Sequence, residues 1–212
     1  MTSLFGSTVP LPPRPGEYGV LYPDFPWPER GGGKIKRGAD HHYDLMDVPA
    51  ILALAREFGS WAAPDAHLYA WATNNYLPAA FDVVKAMGFR YVTMTTWIKD
   101  RMGLGQYFRG KTEHCIFAVR GRLPYQTRAD GKRAQGQTAF YEPEIDDDFP
   151  LQLPEAFEAP VPTKERGKRI HSRKPEQMRR YIEQISGDVP RLEMFARIAT
   201  PGFDLWGNEA PR

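Results

Sequence analysis

The chain has 212 residues, 42% of them hydrophobic and 25% charged, and a net charge of +2. That length suits one domain over 1–212 with a full core, and no apolar run reaches the roughly 20 residues that cross a bilayer. The single cysteine, Cys115, excludes an intramolecular disulfide and a cysteine-rich metal site; with the start Met1-Thr2-Ser3-Leu4, which is no secretory signal, it suggests a reducing cytoplasm.

Residues 8–16 hold Pro10, Pro12, Pro13 and Pro15 and read as an extended lead-in. Gly19-Val20-Leu21-Tyr22 is a short strand that stops at Pro23 and runs into the turn Asp24-Phe25-Pro26-Trp27. Residues 28–42 are polar and glycine-rich, with Arg30, Lys34, Lys36 and Arg37, and read as a mobile loop able to follow phosphates. Asp47 before Val48-Pro49 is a helix N-cap, and Ile51, Leu52, Leu54, Ala55 and Phe58 give the helix one apolar face. A strand at His67–Trp71, a helix at Leu77–Met87 and a strand at Tyr91–Ile98 follow. Cys115–Val119 is nearly all apolar, as in a strand buried on both faces. Residues 125–170 hold Asp146-Asp147-Asp148 and five prolines, and read as a long excursion, partly disordered. A second basic run (Lys164, Arg166, Lys168, Arg169, Arg173, Lys174) precedes a helix at Pro175–Ile185, a strand at Arg191–Phe195 and Phe203–Trp206. The alternation predicts an open α/β sheet with helices on both faces.

The Asp24 turn carries the chemistry. An exocyclic amine is a poor nucleophile because its lone pair is delocalised into the ring. A site helps by accepting both N–H bonds: the Asp24 carboxylate takes one and the carbonyl of Phe25 the other, with Pro26 fixing the backbone. Trp27 offers a ring on which a base can stack. A base reached this way is single-stranded or flipped from a duplex. On spacing alone an ordinary tight turn with Trp27 in the core is the favoured reading. His41-His42 lacks further ligands at useful spacing, so no metal is expected. His114 reads either as a satisfied strand-end residue or as facing substrate.

From Asp24 onward the chain resembles the MT-A70 family of adenine-N6 methyltransferases. The similar segments are Asp24-Phe25-Pro26-Trp27, Tyr43-Asp44-Leu45-Met46, Leu68 to Asn74, Thr96-Trp97-Ile98-Lys99, Gly110 to Cys115, His171 to Glu176, Arg191 to Arg197 and Trp206-Gly207-Asn208-Glu209. The resemblance implies a circularly permuted Rossmann-like fold that uses S-adenosylmethionine, which accounts for the missing Gly-X-Gly-X-X-Gly loop. It implies that Asp24 lies beside the cofactor, that Lys174 meets the carboxylate of its methionine part, and that Arg197, Asn208 and Glu209 bind its ribose and adenine. Lys34, Lys36, Arg37, Tyr43, Lys111, Glu113 and His114 would face a nucleic-acid substrate, DNA favoured over RNA, with no membrane involved. A non-catalytic subunit of the same fold is the rival reading, and a homo- or heterodimer stays open. The family usually has Pro where this chain has Phe25, whose ring is expected to narrow the pocket. Glu193, between apolar neighbours, is expected to be buried with Arg197 as its partner.

Overall fold

The computed structural model describes residues 10–28, 45–99, 107–141, 174–196 and 198–207. Lys34, Lys36, Arg37, Tyr43, Arg197, Asn208 and Glu209 therefore lie outside the described residues, as does most of the expected excursion.

Seven strands among those residues form one mixed sheet: β1 (Tyr18–Pro23), β2 (Ala62–Thr73), β3 (Arg90–Ile98), β4 (Thr112–Arg120), β5 (Ala139–Tyr141), β6 (Arg191–Met194) and β7 (Asp204–Trp206). Their order is β5-β3-β4-β2-β1-β6-β7. β1 runs parallel to β2 and β6, and β6 parallel to β7. β4 is antiparallel to both its neighbours, β2 and β3. It is buried on both faces as expected, with Cys115 and Ile116 at 1% and 0% exposure. An apolar run does not reveal its direction.

Side chains alternate across a strand, and here the alternation sorts two cores. Leu21, Leu68, Ala70, Ile116, Leu192 and Met194 face one side with helices α1 (Val48–Ser60) and α2 (Leu77–Ala86). Val20, Tyr22, Tyr69, Trp71 and Cys115 face the other with α3 (Glu176–Ser186), through Met178, Tyr181 and Ile182. Helices thus cover both faces. α1 begins as expected, with the Asp47 side chain accepting from the Ala50 N–H at 2.8 Å. α1 and α2 finish side by side, where a side chain at Gly59 would collide with the Met87 backbone. Arg120 closes both ends, donating to the carbonyls of Gly59 (2.8 Å), Met87 and Gly88. Those terminal carbonyls have no helical partner, and a cation there also opposes the helix dipoles.

The reading of 125–170 as an excursion needs correction at its start. Thr127 bridges to Arg133, Gln126 N–H donates to the Ile185 carbonyl at 3.2 Å, and Phe140 of β5 is buried in the α3-side core. β5 pairs parallel to β3. Backbone bonds and single anchors order this stretch, not apolar periodicity, so no periodic signal marked it.

Candidate active site

β1, β2, β3 and β6 end at one edge of the sheet, and antiparallel β4 begins there. Five strands therefore deliver residues to a single edge, the place where open α/β sheets bind ligands.

The turn after β1 splits between the two faces. Asp24 continues the alternation of Val20 and Tyr22 and turns its carboxylate to the α3 side, where Oδ2 accepts from Lys174 Nζ at 2.8 Å. Its N–H extends the β1–β6 pairing to the Met194 carbonyl at 3.2 Å. Phe25 goes the other way. Its ring is 3% exposed and packs 5.6 Å from Phe195 and 6.3 Å from Phe58, centroid to centroid. The expectation that this ring narrows a pocket is thus corrected: it is core. The Phe25 carbonyl accepts from the Trp27 N–H at 2.8 Å across Pro26, a three-residue turn that fixes its direction.

Trp27 is also core. It is 4% exposed, its indole N–H donates to the Trp71 carbonyl at 2.9 Å, and Tyr76 stacks on it at 5.6 Å and 10°. The expected base platform is therefore covered. Tyr76, to which the sequence reading gave no role, also donates its hydroxyl to the Pro28 carbonyl at 2.9 Å and so straps the exit of the turn.

On the α3 side the charges form a chain. Lys174 Nζ lies 2.8 Å from Asp24 and 3.3 Å from Glu113, whose other oxygen accepts from Lys99. Lys174 also sits 5.5 Å over the Trp71 ring, and Lys99 5.0 Å over Trp97. Burial alone would raise the Glu113 carboxyl, but Lys174 and Lys99 together hold it below the usual carboxylate range. Two carboxylates and two ammonium groups thus balance at the mouth of the site. Glu113 was expected at the substrate and Lys174 at the cofactor, and the two touch. Lys99 was missed, although it stands two residues after Trp97 and so shares its face.

His114 takes the satisfied-residue reading. It is 8% exposed, with Nδ1 3.0 Å from the Thr96 hydroxyl and Nε2 2.8 Å from Asn74 Oδ1. Burial lowers its pKa, the Glu113 charge opposing, so the neutral ring donates to Asn74 and accepts from Thr96. Lys111 is exposed, and its carbonyl accepts from the Lys99 N–H at 2.8 Å. Glu193 is buried as expected, and its described partner is Arg179; Arg197, the partner expected for it, lies outside the described residues. Arg179 donates to both its oxygens at 2.7 and 3.2 Å, and Thr200 adds a bond at 2.7 Å. No cluster of three metal-ligating side chains occurs among the described residues.

Residues 161–209 match the MT-A70 family model, a stretch that holds Lys174, α3, β6 and β7. Over that stretch the chain is similar to the MT-A70 family. It is similar, at 24% identity over 92% of its length, to a rice (Oryza sativa subsp. japonica) protein named as a probable N(6)-adenosine-methyltransferase, MT-A70-like. It spans only 23% of that protein. It is equally similar, 24% over 92%, to the type II methyltransferase M.MunI of a Mycoplasma species, of which it spans 78%. The MT-A70 match covers the end of the chain, whereas Asp24 stands near its start. The sheet brings the two together through the Asp24–Lys174 pair.

Proposed function

We propose that the chain is a methyltransferase that uses S-adenosylmethionine to methylate N6 of adenine in nucleic acid, DNA rather than RNA. The observation that carries this is Asp24, a carboxylate aimed along the strand ends and tied to the one segment that matches the family. The relatives named as methyltransferases support the reaction class. The mixed seven-stranded sheet with helices on both faces is compatible with a circularly permuted Rossmann-like arrangement.

The described donor set fits the cofactor. Lys174 offers a cation to its carboxylate, and Asp24 an acceptor to its ammonium group. Arg197, Asn208 and Glu209 would hold its ribose and adenine. When bound, S-adenosylmethionine supplies an electrophilic methyl group. The protein's own work is positioning. Asp24 accepts one N–H of the adenine amine, a carboxylate having several acceptor sites beyond the one Lys174 uses. The Phe25 carbonyl accepts the other with the lone pair that Trp27 leaves. The two bonds pull the nitrogen toward a tetrahedral shape, and its proton passes to solvent or to Asp24.

The Asp24–Lys174 ion pair itself favours a second reading, a non-catalytic subunit in which this lysine ties up the carboxylate. Transfer of labelled methyl from S-adenosylmethionine to DNA and RNA pools, followed by nucleoside analysis, separates them. Label in N6-methyladenine that disappears with Asp24→Ala supports the enzyme. A chain that binds both ligands and transfers nothing is the subunit.

A further inference from the structure

Tyr107 and Phe108 are each 92% exposed, more than any other large hydrophobic side chain described. Two consecutive aromatic residues exposed to water need an explanation, since chains seldom leave such area uncovered. Their setting narrows the choice. Exposed Arg109 and Lys111 follow them directly, which suits neither a continuous apolar interface nor a core that has lost its lid. The segment is also tethered to the site. A side chain at Gly110 would lie 3.8 Å from Asn74 Nδ2, Asn74 bonds Thr112 and His114, and the Lys111 carbonyl holds the Lys99 N–H. Glu113 follows the rings by a few residues, and Lys99 is bonded to the same segment through Lys111.

We infer that Tyr107 and Phe108 form a stacking clamp for unpaired bases of the nucleic-acid strand, beside the one presented to Asp24. This rests on the nucleic-acid reading above and adds where the strand is gripped. Exposed aromatics interleaved with cations are how proteins hold single strands: rings take the base faces, cations the phosphates. Each stacked base is worth roughly 5- to 150-fold in affinity.

The test is fluorescence anisotropy with a labelled 20-nucleotide single-stranded DNA and a hairpin duplex of the same composition, across a salt series. Tyr107→Ala with Phe108→Ala should weaken single-strand binding at least about tenfold at every salt concentration. The salt slope should stay constant because no charge is removed. Tyr107→Phe with Phe108→Tyr, which keeps both rings, should bind within about twofold of the wild type. The double alanine variant should bind S-adenosylmethionine normally. Equal single-strand binding by that variant overturns the clamp, as does a change of oligomeric state with unchanged affinity, which would make the rings a protein interface. A wild-type chain that binds no oligonucleotide overturns the nucleic-acid reading, and the clamp falls with it.

Discussion

The two faces of the sheet are built from different materials. On the α1–α2 face the contacts are almost wholly apolar, with Phe25, Phe58, Trp61, Phe195 and Trp206 meeting tilted or edge to face at centroid separations of 5.0 to 6.3 Å. On the α3 face polar groups are buried: Arg179 with Glu193 and Thr200, His67 with Ser186 and Tyr69, and Trp71 with Tyr22. The site charges Asp24, Lys174, Glu113 and Lys99 continue that polar face to its edge. One face holds the fold and the other arranges charge. The Asp24 turn is where they meet, since consecutive residues point to opposite sides.

The sharpest test divides that turn. Asp24→Ala should lower methyl transfer by at least about 10²–10³-fold, the loss expected when a transition-state acceptor is removed. Its fold should survive, because Lys174 keeps Glu113 as a partner. Phe25→Ala, one residue on, should cost about 3–5 kcal/mol of stability for a buried aromatic, read by urea unfolding. If Asp24→Ala were the one that unfolded and Phe25→Ala the one that kept full stability, the division of faces would be wrong.

A second variant tests the polar interior. Arg179→Met removes a guanidinium that is 3% exposed and leaves the Glu193 carboxylate buried with Thr200 as its remaining described partner. Breaking a buried pair from one side costs about 3–5 kcal/mol. Arg179→Met with Glu193→Leu should recover most of that loss, because neither charge is then stranded. A double variant no more stable than the single would mean the pair contributes by itself.

Much of this was legible beforehand. The turn after β1, the Asp47 cap and the burial of Glu193 each follow from neighbours in sequence: an apolar run breaking at Pro23, a cap before a proline, a carboxylate between Leu192 and Met194. What escaped depends on distant partners. Nothing local says that Trp27 would lie under Tyr76, that Phe25 would turn to the core, or that Arg179 on a highly charged helix would be the one buried. Strand direction in β4 is set by what it pairs with. Its apolar composition reports burial only. β5, three residues long, carries too few positions for any period.

Acid should weaken the α3 face before the other. His67 Nδ1 lies 2.8 Å from the Ser186 hydroxyl, with Tyr69, Phe117 and Tyr125 around the ring. Burial pushes its pKa down to about 4 from an ordinary 6.5, a backbone bond at Leu123 opposing. The folded chain therefore binds this proton less readily than the unfolded one. Stability is complete above pH 6.5 and drains away as pH falls toward 4, by something on the order of 2–3 kcal/mol. His67→Gln should flatten that stretch of a stability–pH curve measured by denaturant unfolding. An unchanged slope would assign the acid loss to other groups.

The smallest effect belongs to the seam between the faces. Tyr76 stacks on Trp27 and donates its hydroxyl to the Pro28 carbonyl, so it holds the exit of the turn from the end of β2. Tyr76→Phe keeps the stack and removes one hydrogen bond, which is worth about 0.5–1.5 kcal/mol. The loss should be local. Amide exchange at Trp27 and Met46, whose N–H groups donate to the carbonyls of Phe25 and Pro26, should quicken severalfold while the centre of β1 stays protected. Turnover should fall more than substrate affinity, because a looser turn misaims Asp24 without removing a contact. Tyr76→Ala should enlarge both effects, since it also uncovers Trp27. Unaltered exchange at those two amides in both variants would show that the indole bond to Trp71 and the Phe25 packing hold the turn without Tyr76.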